Sequence, residues 1–279
     1  MKIYYLLLIV LFGCENNNVI LSDELTVEGQ ILEGEFARIN LTNSLPFSGV
    51  IDSMEVARSM EAKAKVELSD GEISEILTLK RDDSRFPYLY YRSNIIKGEL
   101  NKQYNLSVTI RGKEFKSITT IPEKVNVLDV SFSTWEEEGV VEPDYKDINF
   151  TIENNTDEDR YFKILIKNEN EKRFEFARPF IFNTENISTN TFPLIVSYIK
   201  FNEDSGEKEN HVRVGEVLEL KIVSITKEQF YFWKSIEGDV TSPLEDSSFS
   251  NAVVSNISNG AFGYWSGESV ESFKFEIPE

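Results

Sequence analysis

Apolar and polar residues alternate with a period of two through most of this chain. That pattern puts successive side chains on opposite faces and commits the backbone to strands with one buried face. Ala62, Ala64, Val66 and Leu68 share one face, with Lys63, Lys65 and Glu67 on the other. Ser69-Asp70-Gly71 follows as a turn in which Gly71 is free to take a positive φ, and Ile73 to Lys80 reads as the return strand of a hairpin. Tyr104, Leu106, Val108 and Ile110 alternate in the same way, Arg111-Gly112-Lys113 turns, and Glu114 to Ile121 runs back. Ile121-Pro122 closes this half, because proline cannot donate to a strand ladder.

The second half repeats the pattern with more aromatic strands: Ile148, Phe150 and Ile152; Tyr161 to Lys167; Phe174 and Phe176; Thr191 to Phe201; Glu216 to Ile225; and Phe273, Phe275 and Ile277 at the end. One stretch departs from period two. Thr226-Lys227-Glu228-Gln229 has the spacing of a capping box, in which Gln229 would reach back to the start of the helix. Phe230, Trp233, Ile236 and Val240 then fall on one helical stripe, with Gly238 near the expected stop. The spacing predicts a short helix over about 226–238, packed by its aromatic face on a sheet. With 279 residues and 41% hydrophobic content the chain can build real cores. The expectation is an all-β protein of two parts: a β domain over 25–122, and a larger antiparallel β domain over 123–279 carrying the helix.

The N-terminus reads as an address. Met1-Lys2 precedes an unbroken apolar run from Ile3 to Phe12, too short to span a bilayer and of the length of a signal-peptide core. It ends in Leu11-Phe12-Gly13-Cys14, the pattern of a bacterial lipobox, with Phe12 bulkier than usual at its position. The only cysteine of the chain stands where the acyl acceptor must be. Residues 1–13 are therefore expected to be removed, Cys14 to carry a lipid anchor, and residues 14–24 to serve as a tether. Cys14 is then neither a nucleophile nor a metal ligand.

Composition excludes several classes of function. A formal net charge of −19 repels phosphate backbones, so nucleic acid is not an expected partner. One histidine and one cysteine leave no zinc site of the usual kind. The single imidazole, His211, lies in a charged loop without a serine-nucleophile motif near it. Asp157-Glu158-Asp159 and the acids around Glu203 to Glu209 lack the spacing of an EF-hand, and Glu136-Glu137-Glu138 reads as a solvated run. No phosphate-cradling glycine loop occurs. No catalytic residue, cofactor or metal is expected. The feature that points to binding is Asn251 to Gly267, where small residues alternate with Phe262, Tyr264 and Trp265. Those three are the candidate partner-binding residues, against the alternative that they tuck into the core.

These segments, taken in order, resemble a Bacteroidota surface-lipoprotein family catalogued as domain of unknown function 4249. The likeness rests on Leu25-Thr26-Val27-Glu28-Gly29, on Val66 to Gly71, on Tyr104 to Ile110 returning to Thr120-Ile121-Pro122, on Val223-Ser224-Ile225 leading to Tyr231-Phe232-Trp233-Lys234-Ser235, and on Val254 to Gly260 followed by Gly263-Tyr264. The resemblance implies an immunoglobulin-like β-sandwich for the N-terminal part, an outer-membrane and cell-surface location, and association with a TonB-dependent transporter barrel. It carries over no catalytic residue. A surface adhesin or structural lipoprotein without a small ligand stays open as the alternative, and a carboxylate hydrolase has the least support from the residues.

Overall fold

A computed structural model describes residues 25–43, 58–85, 87–137, 139–154, 157–197, 200–201, 208–209, 212–240 and 253–279. Cys14, the tether and His211 lie outside the described residues. The chain is built of strands, as the alternation predicts. In order they are β1 (25–32), β2 (36–43), β3 (65–69), β4 (74–76), β5 (78–81), β6 (89–97), β7 (103–110), β8 (113–120), β9 (127–137), β10 (140–153), β11 (161–168), β12 (175–183), β13 (191–196), β14 (200–201), β15 (208–209), β16 (212–213), β17 (217–225) and β18 (262–276), with helix α1 (227–240) between the last two.

One eight-stranded sheet has the order β12-β11-β17-β18-β1-β2-β6-β5. Two smaller sheets cover one of its faces side by side. Sheet β4-β3-β7-β8 packs on the β18-β1-β2-β6 end, and β13-β10 with β9 packs on the β11-β17 end. Each pairing encloses its own core. In the first, Val27, Ile31, Ile39 and Trp265 meet Val66, Leu68, Leu106 and Val108; in the second, Ile164, Leu220 and Ile222 meet Ile148, Phe150 and Ile152. Each such side chain contributes about 1.5–3 kcal/mol by leaving water, so the period-two rows are what hold the sheets together.

The first sandwich carries a tyrosine at its corner. The Tyr104 hydroxyl, at the start of β7, donates to Lys97 O at 3.0 Å and accepts from Glu99 N at 2.7 Å. A tyrosine bonded back to the chain a few residues upstream is a hallmark of immunoglobulin-type sandwiches. The β7–β8 hairpin follows expectation, with Arg111 and Gly112 both at positive φ in the turn. The stretch Ile73 to Lys80 does not form one return strand. β4 pairs with β3, and β5 crosses to pair with β6 in the large sheet. Leu77 turns into the core at the crossing, and the Glu75 carboxylate accepts hydrogen bonds from the amides of Asn94, Ile95 and Ile96. A buried carboxylate satisfied by three amides anchors the crossing to β6.

The last strand joins the two sandwiches. Residues 262–268 of β18 run parallel to β1, and residues 269–276 run antiparallel to β17. A boundary at Pro122 in sequence therefore coexists with a C-terminal segment that completes the first core: Ile257, Ala261 and Trp265 belong to it.

Helix α1 sits on the opposite face of the large sheet, over β11, β17 and β18. The Thr226 hydroxyl accepts from Gln229 N at 3.4 Å and the Thr226 carbonyl from Phe230 N at 3.0 Å, so threonine caps the helix as its spacing suggests. Replacing Thr226 with alanine is expected to cost about 1 kcal/mol, read as a lowered midpoint in a urea titration. Gln229 does not reach back. Its side chain is fully buried, with Nε2 donating to Glu268 Oε1 at 2.8 Å and Oε1 accepting from the Ser266 hydroxyl. Glu268 also receives Lys163 Nζ at 2.7 Å, making a buried ion pair beneath the helix. Buried partners on the sheet take the side chain in place of the amide at the helix start. Phe230 packs on Tyr161, Val223 and Ile225, while Phe232, outside the predicted stripe, is buried against Tyr264.

Candidate functional site

The stretch that the sequence singles out is divided by the pleat of β18. Trp265 is 0% exposed; its indole Nε1 donates to Tyr104 O at 3.1 Å across the first core. It is a core residue and is not available to a partner, which corrects its place among the candidates. The alternation that makes β18 a strand sends Trp265 inward and leaves Phe262 and Tyr264 on other ground. Phe262 is 38% exposed. Tyr264 points to the helix-bearing face, its ring 4.9 Å from Phe232 and 5.5 Å from Trp233.

The glycines beside these aromatics permit a close backbone approach, as expected from their spacing. Gly263 has φ +103°, and a Cβ there would lie 1.9 Å from Val27 O; one at Gly267 would lie 2.2 Å from Thr120 O. The loop before β18 is fastened by side chains. Asn256 donates to Trp265 O and accepts from Trp265 N, and the Ser255 hydroxyl meets the carbonyls of Ala261 and Gly263. Ser258 N bonds Lys116 O and Lys116 N bonds the Ser258 hydroxyl, so the loop covers the free edge of β8. This stretch is scaffold first.

What it builds is a polar hollow of about 210 Å³ on the outer face of the large sheet, beside α1. Strand register dictates its walls. Tyr264, Glu28 and Asn40 lie in one row across β18, β1 and β2, and Ser266, Gln30, Arg38 and Arg92 lie in the next row, which continues onto β6. Arg85, from the loop between β5 and β6, completes the lining. The Arg38 guanidinium stacks 3.7 Å over the ring of Tyr90. Arg92 lies 4.4 Å over Phe36. In a protein with 48 acids and 29 bases, this face gathers arginines on aromatic platforms.

The hollow is electrostatically uneven. Desolvation lowers the Arg38 pKa from its ordinary value, and the charge of Arg85 lowers it further. Glu28 is exposed along its chain, yet the walls strip water from its carboxyl group and raise its pKa. Burial raises the Tyr264 phenol well above its usual value, with Glu268 and Glu28 adding to the effect, so it stays a neutral donor. The Asn40 side-chain oxygen is shielded from solvent and has no hydrogen-bond partner among the described residues. These groups can hold a polar ligand; nothing in their geometry forms a nucleophile–base pair.

A larger cleft of about 650 Å³ opens between the two sandwiches. The connector Ile121-Pro122-Glu123 forms one wall, and the end of β17 with the first turn of α1 forms the other. Glu158 and Asp159 of the acidic loop stand at its rim with Glu123 and Glu228. Arg160 is engaged there in structure: it donates to Glu123 O at 2.8 Å and Lys124 O at 2.6 Å, clasping the connector. Among the described residues no group of three histidine, cysteine or carboxylate side chains is placed to hold a metal ion. Sequence reasoning missed both cavities because their lining comes from strands distant in sequence. The available signal for the hollow was polar residues at the outward positions of β1 and β2, Glu28, Gln30, Arg38 and Asn40.

Comparison with curated proteins finds no match. Comparison with family models does: residues 18–274 match the family described as Domain of unknown function (DUF4249). The match takes in both sandwiches, the helix and nearly all of the closing strand, and the chain belongs to that family.

Proposed function

We propose that this protein is a non-catalytic, lipid-anchored protein of the outer membrane, exposed at the cell surface, that serves as an accessory or substrate-binding partner of a TonB-dependent transporter. The observation that carries the reading is Leu11-Phe12-Gly13-Cys14 at the end of the apolar run, with the only cysteine of the chain at the acceptor position. A rigid β scaffold presenting a hollow and a cleft on its surface supports a binding role. Among the described residues no helix is long and apolar enough to cross a membrane, and acyl chains bind a bilayer at about 0.8 kcal/mol per buried methylene.

Replacing Cys14 with serine is expected to shift the protein from the membrane pellet to the soluble fraction and to abolish incorporation of labelled palmitate. Membrane retention by the variant would overturn the anchor. The transporter reading is tested by purifying the wild-type protein from cells in mild detergent. Co-purification of an outer-membrane barrel is expected; its absence, with binding to host or matrix proteins instead, would replace the reading with that of an adhesin.

A further inference from the structure

We propose that the hollow beside Tyr264 is a binding site for the carboxylate of a small hydroxylated organic acid, a sugar acid being the chemistry that fits, with Arg38 and Arg85 as its anion clamp. The inference rests on the reading of the protein as a binding protein and supplies the class of ligand.

Two guanidinium groups line one small cavity, on a chain whose net charge is −19. Holding them together costs repulsion that a bound anion relieves. Among the described residues neither is consumed by a close ion pair. Asp82 is shared between them: one of its carboxylate oxygens lies 3.5 Å from Arg85, and its charge also acts on Arg38, which stacks on Tyr90 and has no carboxylate within 4 Å among the described residues. Stacking leaves the edge of a guanidinium, where its N–H groups lie, free for a planar two-oxygen acceptor. A carboxylate matches that fork.

The rest of the lining selects what is attached to the carboxylate. Gln30 and Asn40 present amides, Asn40 with its oxygen unsatisfied, and Tyr264 presents a phenol. These suit hydroxyl groups, each of which both donates and accepts. Glu28 stands in the same cavity one strand from Arg38, so a second negative charge on the ligand would meet repulsion there while a hydroxyl would find an acceptor. A monoanion with several hydroxyls is favoured over a phosphate or a dicarboxylate. The volume of about 210 Å³ admits a single sugar ring.

The test is calorimetric titration of the full-length lipidated protein in mild detergent with glucuronate and, separately, with glucose. Saturable binding of glucuronate and at least about tenfold weaker binding of glucose is expected, the loss that follows from removing a charge-assisted contact. Arg38→Gln and Arg85→Gln should each weaken glucuronate about tenfold or more, and Arg85→Gln should leave the melting temperature of the apo protein unchanged. Arg85 is a loop residue and 64% exposed on its side chain, so that variant tests the clamp even if Arg38→Gln perturbs the sheet. Absence of glucuronate binding, equal binding of glucose, or unchanged affinity in Arg85→Gln would overturn the proposal. A barrel that co-purifies while glucuronate fails to bind leaves the transporter reading standing and removes this one; glucuronate binding without a barrel does the reverse.

Discussion

Replacing Glu268 with alanine is expected to destabilise the protein by about 3–5 kcal/mol. Lys163 Nζ lies 2.7 Å from Glu268 Oε1, and both side chains are under 10% exposed. Removing the carboxylate leaves the ammonium buried without its counter-charge and also strips Gln229 Nε2 of its acceptor. Two costs then add, an unpaired charge and an unpaired amide. The measurement is the urea midpoint at constant slope, followed by far-UV circular dichroism. A Lys163→Met, Glu268→Leu double variant separates pairing from packing, because replacing both charges by apolar groups of similar volume is often close to neutral. If Glu268→Ala is as stable as the double variant, the ion pair does not organise the helix–sheet contact.

Trp265→Ala is the second large effect. The ring is fully buried at the centre of the first core, and its Nε1 bonds Tyr104 O. Truncating a buried tryptophan costs about 3–5 kcal/mol through lost burial and the cavity left behind. Tyr264→Ala, one residue away, removes a ring that lines the hollow and touches Phe232 and Trp233. The contrast is the informative part. Trp265→Ala should lower the melting temperature of the whole molecule, because the tryptophan belongs to the strand that both sandwiches share. A Trp265→Ala protein that melts like wild type would return the indole to the surface.

Local pattern revealed most of the strands and little of how they are assembled. Tyr104 to Ile110 and Glu114 to Ile121 are legible because a two-residue turn fixes their register, and each face is apolar or polar by strict alternation. Ile148, Phe150 and Ile152 are legible for the same reason. Ile73 to Lys80 misleads because the change of sheet between β4 and β5 leaves the alternation intact, and its cause, the amides of Asn94 to Ile96 gathered on Glu75, is long-range. Gln229 misleads because a capping-box match says where a side chain can reach, while Ser266 and Glu268 lie 37 and 39 residues further on. The aromatic-glycine stretch was legible as unusual, with the period-two rule already dividing Tyr264 from Trp265. Which of them faced the core depended on β1 lying alongside.

The pairing of β18 with β1 also bears on how the protein comes into being. The first strand, Leu25 to Leu32, finds its parallel neighbour in residues 262–268, more than two hundred positions later. Parallel, long-range pairing is slow, since loop closure must precede any gain from contacts. During synthesis the N-terminal sandwich therefore lacks Trp265 from its interior and a neighbour on one edge of β1 until residues 262–268 have been made. Until then the first sandwich stays open at that edge of β1. The strand that both sandwiches share is thus the last of the described strands to arrive.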